Sequence, residues 1–272
     1  MKYCRFLFEG QTHYGRVDDS SGELWIVETI DAPEEDLAYR VEHGHSGRLS
    51  IGFEPLPLRN AELLPPVTPS KIVCVGRNYS EHIKELGNEM RDEPVLFLKP
   101  LSCLLSPGGT IVLPRLSERV DFEGELALVI GKRTRKLPID GDWRSAIRGC
   151  TLANDISARD LQKRDVQFTR AKGCDTFGPV GPIVSDELDL GAPLNIQTRL
   201  NGELRQNGST ADFIFSIPYV LSYISAALTL EPGDLILTGT PSGTGPLKPG
   251  DHVEVTITGL GTLSNTVQAD TD

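Results

Sequence analysis

The stretch FEGELALVI, residues 122 to 130, constrains the fold of this 272-residue chain more than any other. Side chains alternate across a strand, so Glu123, Glu125, Ala127 and Val129 share one face, and Phe122, Leu126, Leu128 and Ile130 share the other. Beyond the glutamates both faces are apolar, and such a strand is stable only where both of its sides are covered. The two carboxylates that lead one face then need compensation, because buried charge is costly unless paired.

The remainder alternates short strand-like runs with glycine and proline punctuation, which predicts a mainly β protein with short helices. Residues 1–65 read as a small β-rich N-terminal domain, LLPPVTP at 63–69 as a stiff linker, and 70–272 as a second, catalytic domain punctuated by PGG (107–109), GPVGP (178–182), EPGD (231–234) and KPGD (248–251). Two segments break the β pattern. Residues 78–87 predict a short helix with Asn78 as its cap, Glu81 three residues on and Gly87 as its stop. That helix has little apolar surface, so it is expected to be a mobile lid. Residues 212–228 are apolar almost all round after Ser216, which predicts a helix buried on several sides, between cores or against a partner subunit.

A net charge of −11 argues against nucleic acid, which requires a basic face. The run KRTRK at 132–136 follows a strand and precedes Pro138, as a solvated turn does. The five cysteines, Cys4, Cys74, Cys103, Cys150 and Cys174, are scattered without a CxxC pair and read as reduced and mostly buried. No segment has the length of a membrane span and the first residues lack a signal-type apolar run, so the expected location is cytoplasmic.

Asp155, at the end of an apolar run, joins Glu123 and Glu125 as an oxygen-only set suited to Mg²⁺ or Mn²⁺, with Ca²⁺ a further candidate. Spacing alone favours a solvated strand end with a helix-capping aspartate. His82 and Glu85 stand at i and i+3, where a carboxylate orients an imidazole and raises its basicity, although surface pairs of this kind are common. Lys99 and Lys172 lie in apolar or glycine-rich surroundings, as anion-binding or snorkelling lysines. The loop LTGTPSGTG (237–245) offers amides and hydroxyls to a carboxylate or phosphate but lacks the lysine of a P-loop. His43 and His45 have no third ligand nearby.

The segments CVGRNYSEH (74–82), EPVLFLKP (93–100), DFEGEL (121–126), NDISARD (154–160), KGCDTFGP (172–179) and PGDLILTGTPSG (232–243), in this order, resemble the fumarylacetoacetate hydrolase family over roughly residues 70 to 272. The resemblance implies a mixed β-sandwich or β-roll core with a small N-terminal domain, commonly as a homodimer. It implies that Glu123, Glu125 and Asp155 hold Mg²⁺ or Mn²⁺, and that His82 and Glu85 form a base on a lid helix. It places Lys172, Gln162 and Lys99 toward the substrate and Thr240 on its carboxylate, with Arg77 and Arg159 matching further motif positions. The segments look closest to acylpyruvases and oxaloacetate decarboxylases. The expected reaction is cleavage of a carbon–carbon bond in an acylpyruvate-type 2,4-dioxo acid through a pyruvate enolate stabilised by the divalent metal, with oxaloacetate decarboxylation as a second activity. Isomerisation of a hydroxymuconate-type diacid is the main alternative, and a non-catalytic module binding a metal and a diacid is a lesser one.

Overall fold

The computed structural model describes residues 1–33, 53–87 and 89–271, so His43 and His45 lie outside the described residues. The principal elements, in chain order, are β1 (Lys2–Phe8), β2 (Gln11–Asp18), β3 (Trp25–Ile30), β4 (Ile72–Gly76), α1 (Ser80–Glu85), β5 (Val95–Lys99), β6 (Thr110–Leu113), β7 (Gly124–Ile130), β8 (Ile147–Asn154), α2 (Arg159–Arg164), α3 (Thr169–Gly173), β9 (Gly178–Ser185), β10 (Asn195–Leu200), β11 (Glu203–Ser209), α4 (Ile217–Ala227), β12 (Leu235–Leu237), β13 (His252–Ile257) and β14 (Gly261–Ala269). Strands dominate and the helices are short, as the alternation predicts.

The glutamate-bearing run is β7 with the short strand Val120–Phe122 before it, and every residue of both is buried. β7 lies inside the large sheet, whose longest path runs Leu56–Pro57, β3, β2, β1, β9, β8, β7, β12, β4, β5. A second sheet, ordered β11, β10, β13, β14, β6, covers one of its faces. There Leu126, Leu128 and Ile130 join Ile196, Val255, Ile257 and α4 in one core. Ala127 and Val129, on the glutamate face, join Ile156, Leu161, Ala171 and Phe177 in another. Each fully buried aliphatic side chain contributes about 1.5–3 kcal/mol, and this two-sided burial holds β7 where its glutamates can be buried as well.

The N-terminal strands do not form a sheet of their own. β1 pairs with β9 at Lys2↔Ser185 and Tyr3↔Val184, and Glu62–Leu64 pairs with β1. The start of the expected linker is therefore a strand, and Val67 within it is buried, because Leu63, Leu64 and Val67 supply apolar surface that a free spacer would leave in water.

α4 also differs from expectation. It buries Ile217, Val220, Leu221 and Ile224, one stripe at helical spacing, while Tyr219 and Tyr223 stack at 6.2 Å on a half-covered side. Tyrosine adds to an apolar count but tolerates water at its hydroxyl, which is why the segment reads as buried on several sides.

Lys132, Arg133, Arg135 and Lys136 are exposed after β7, with Arg133 paired to Glu231 at 3.1 Å. The cysteines are free. Cys174 alone is half-buried, and burial pushes the Cys4 and Cys150 thiols up to about 12. No described helix is long and apolar enough to cross a membrane.

Candidate active site

The carboxylates meet because of strand register. β7 and β8 are antiparallel with Gly124 opposite Asn154, which sets Asp155 beside Glu123. The Asp155 N–H donates to the Glu123 carbonyl at 2.8 Å, and the Glu123 N–H donates to Asn154 Oδ1 at 2.8 Å. One oxygen from each of Glu123, Glu125 and Asp155 lies within 4.8 Å of the others, and all three residues are buried. Gly124 between the glutamates faces the second sheet, where a Cβ would stand 2.2 Å from Thr198 Oγ1, so only glycine allows this approach.

Two carboxylates about 5 Å apart at an effective dielectric near 20 repel by about 3 kcal/mol. The site answers this unequally. Burial pushes the Glu123 carboxyl up, but Arg159, Lys172 and His82 together outweigh it and hold Glu123 far below the usual range. Burial pushes Glu125 well above that range, reinforced by Asp155 and Glu123 and opposed by Lys172 and the Gly239 N–H, which donates to Glu125 Oε2 at 2.7 Å. An uncompensated carboxylate within an oxygen-only trio is the donor chemistry a hard divalent cation takes, so the residues fit one.

The cations come from elements that cross the trio. Lys172 on α3 donates to Glu123 Oε2 at 2.6 Å and Asp155 Oδ2 at 2.7 Å. Arg159, the first residue of α2, bridges Asp121 Oδ2 at 2.9 Å and Glu123 Oε1 at 2.5 Å, and also donates to Gln162 Oε1 at 3.0 Å. Lys99 at the end of β5 donates to Asp155 Oδ1 at 2.8 Å, the Ile156 carbonyl at 3.5 Å and the Lys172 carbonyl. Its three N–H donors are thus committed behind Asp155, away from the cavity lining.

α1 covers the opposite side. The His82 ring pairs through Nδ1 with Glu85 Oε2 at 3.1 Å, while Nε2 lies 3.7 Å from Glu123 Oε1. Two expectations about this helix change. Tyr79 is the N-cap, without a side-chain bond, whereas Asn78 acts as a clamp: its Nδ2 donates to the Phe215 and Thr238 carbonyls at 3.2 and 2.7 Å, and its Oδ1 accepts from the Phe215 N–H at 2.7 Å. These buried acceptors outcompete a local cap. The helix is also anchored, with Ile83 buried and Glu85 accepting from the Gly243 N–H at 3.0 Å and Thr244 Oγ1 at 3.4 Å.

The result is a cavity of about 230 Å³ with a charged floor and an apolar wall that includes Val75, Ile83, Val95, Phe97 and Phe168. Arg77, His82, Arg159, Gln162, Lys172, Thr240 and the trio all line it, and Lys163 does too, although the sequence reading passed over it. Arg77 has φ +62°, a left-handed backbone at the cavity edge. The Thr240 hydroxyl donates to the Gly124 carbonyl at 2.8 Å, so its proton is committed within the protein. Asp121, the partner of Arg159, and Gln206, which accepts from the Gly124 N–H at 3.0 Å, were also missed. Asp121 sits in the DFEGEL segment itself, but Gln206 is one polar residue in a polar strand and carries no local signal.

Residues 71–268 match the fumarylacetoacetate (FAA) hydrolase C-terminal family. A mitochondrial oxaloacetate tautomerase of Arabidopsis thaliana is 46% identical over 197 residues, covering 70% of this chain and 87% of that protein. The crystal structure of a 2-hydroxyhepta-2,4-diene-1,7-dioate isomerase from Mycobacterium marinum superposes with a TM-score of 0.83 at 37% identity, covering 100% of both chains. A fumarylpyruvate hydrolase from Pseudomonas aeruginosa, solved with Mn²⁺ and pyruvate, superposes at 0.69 with 30% identity, covering 76% of this chain and 91% of that one. With the motif segments in order and converging on one cavity, the chain belongs to the fumarylacetoacetate hydrolase family.

Proposed function

We propose that this protein is a divalent-metal-dependent enzyme acting on a small 2-oxo acid, and that it cleaves acylpyruvate-type 2,4-dioxo acids through a pyruvate enolate. The observation that carries this reading is the buried trio Glu123, Glu125 and Asp155 in a cavity that also presents Lys172 and the His82–Glu85 pair. Mg²⁺ or Mn²⁺, when bound by the trio, supplies Lewis acidity and positive charge for a 2-oxo carboxylate. Lys172 adds positive charge where the enolate develops. Glu85 pairs with His82 Nδ1 and so orients the ring to take a proton through Nε2 from water, which then attacks the distal carbonyl. The apolar wall accommodates the acyl group, while Arg77, Arg159, Gln162 and Thr240 frame the carboxylate end.

A second reading takes oxaloacetate as substrate: the Arabidopsis tautomerase favours His82 moving the proton between carbon and oxygen, and a 46% identical oxaloacetate decarboxylase of Dictyostelium discoideum favours loss of CO₂, with no need for water. The test is turnover of acetylpyruvate, oxaloacetate and a hydroxymuconate-type diacid, each with Mg²⁺, with Mn²⁺ and with EDTA. Acetylpyruvate cleavage that EDTA abolishes and Asp155→Ala eliminates is the expected result. Undiminished turnover in EDTA would remove the metal reading, and turnover of oxaloacetate or the diacid without acetylpyruvate cleavage would replace hydrolysis by the second reading or by isomerisation.

A further inference from the structure

Gln206 lies on β11 in the second sheet, has no exposed surface and does not line the cavity, yet its amide touches both halves of the site. Its Oε1 accepts from the Gly124 N–H at 3.0 Å. Its Nε2 donates to Thr240 Oγ1 at 2.8 Å and to the Pro241 carbonyl at 2.7 Å. Thr240 Oγ1 in turn donates to the Gly124 carbonyl at 2.8 Å. The bonds close a ring: Gly124 N–H to the Gln206 amide, that amide to the Thr240 hydroxyl, and that hydroxyl back to Gly124. Gly124 is the residue between Glu123 and Glu125, and Thr240 follows Gly239, whose N–H holds Glu125.

We infer that Gln206 is a positioning residue, setting the relative placement of Glu123 and Glu125 and seating the Thr240 loop against them from a sheet that carries no other part of the site. The inference rests on the reading of Glu123, Glu125 and Asp155 as a cation site. Its physical basis is that an amide with both N–H groups and its oxygen engaged, in a site without water access, has one satisfied orientation. Removing it frees the backbone on which two ligands hang, and lost partners behind metal ligands typically weaken metal binding about 10- to 100-fold. Gln206 needs an amide here because a carboxylate would lack the donors for Thr240 and Pro241.

The test is calorimetric titration of Mn²⁺ into the 272-residue protein and its variants, with thermal unfolding of the metal-free forms alongside. Gln206→Met keeps the length and removes the bonds, and it is expected to raise the Mn²⁺ Kd about 10- to 100-fold. Thr240→Val breaks the same ring and should raise Kd similarly, while Thr240→Ser, which keeps the hydroxyl, should restore it. Because one ring carries both effects, the double variant should bind no more than about twofold more weakly than the weaker single. If Gln206→Met does not fold, the Thr240→Val and Thr240→Ser pair decides. An unchanged Kd in Gln206→Met with only a lower melting temperature would overturn the inference, as would multiplicative losses in the double variant or equal affinities in Thr240→Val and Thr240→Ser. Failure of the wild-type protein to bind Mn²⁺ is a separate result, and it would overturn the cation reading together with this one.

Discussion

Glu85 makes contacts of two different characters, and they allow its chemistry to be separated from its structural part. One carboxylate oxygen orients His82 at 3.1 Å, and the other accepts from the Gly243 N–H at 3.0 Å. Glu85→Gln retains an acceptor for Gly243 and so keeps α1 docked, but it no longer supports a positive imidazole. Loss of a general base lowers rate by about 10²- to 10⁴-fold. Acylpyruvate cleavage is therefore expected to fall by that factor and oxaloacetate decarboxylation much less, because decarboxylation requires no activated water. Lys172→Met should depress both, since in the proposed reaction its ammonium balances the enolate common to the two. Initial rates on both substrates at saturating Mg²⁺ provide the comparison. Equal losses for Glu85→Gln would assign the pair to docking or to enolate protonation.

At the scale of elements, the site depends on α1 and the loop after β12 being held against each other. Asn78 does this through three buried hydrogen bonds to Phe215 and Thr238. A buried group left unpaired costs about 1–3 kcal/mol, so Asn78→Ala is expected to lower stability by about 3 kcal/mol or more in urea unfolding. A change within about 0.5 kcal/mol, ordinary for surface positions, would mean that water replaces the side chain. Gly243 belongs to the same closure. It has φ +98°, and a Cβ there would come within 2.0 Å of the Arg205 carbonyl. Gly243→Ala should thus displace the loop from Glu85 and raise KM more than it lowers stability, and an unchanged KM would show that the latch is not used in binding.

For the whole molecule, the shared sheet makes a specific claim about cooperativity. We propose residues 1–65 and 70–272 as two units, joined by the β1–β9 pairing and by Tyr3 and Tyr14 in the core that also contains Val129 and Phe177. The two tryptophans fall one in each unit, Trp25 in β3 and Trp143 just before β8. Variants retaining only one of them should show coincident fluorescence transitions in denaturant, because the units share a sheet. Separate midpoints would instead mean that the N-terminal strands unfold by themselves. The homodimer that the family resemblance implies is likewise a proposal, and light scattering should give twice the 29.7 kDa of the chain, against a monomer mass if it is wrong.

The β character, the doubly covered strand and the shared face of Glu123 and Glu125 were legible in the sequence, because alternation with period two is local and needs no partner to be read. The ordered motif segments also made the family legible, and with it the three carboxylates that the fold brings together. Tertiary structure alone decided what compensates the charges: Lys99 sits behind Asp155, Arg159 bridges Asp121 and Glu123, and Lys172 lies between two carboxylates. It likewise decided that Asn78 clamps Phe215 and Thr238 rather than capping α1, and that Gln206, 82 residues from Gly124, joins that glycine to Thr240. Such contacts depend on strand register and on one sheet packing over another. A side chain's chemistry says what it can bond, and only the folded backbone says which buried partner it meets.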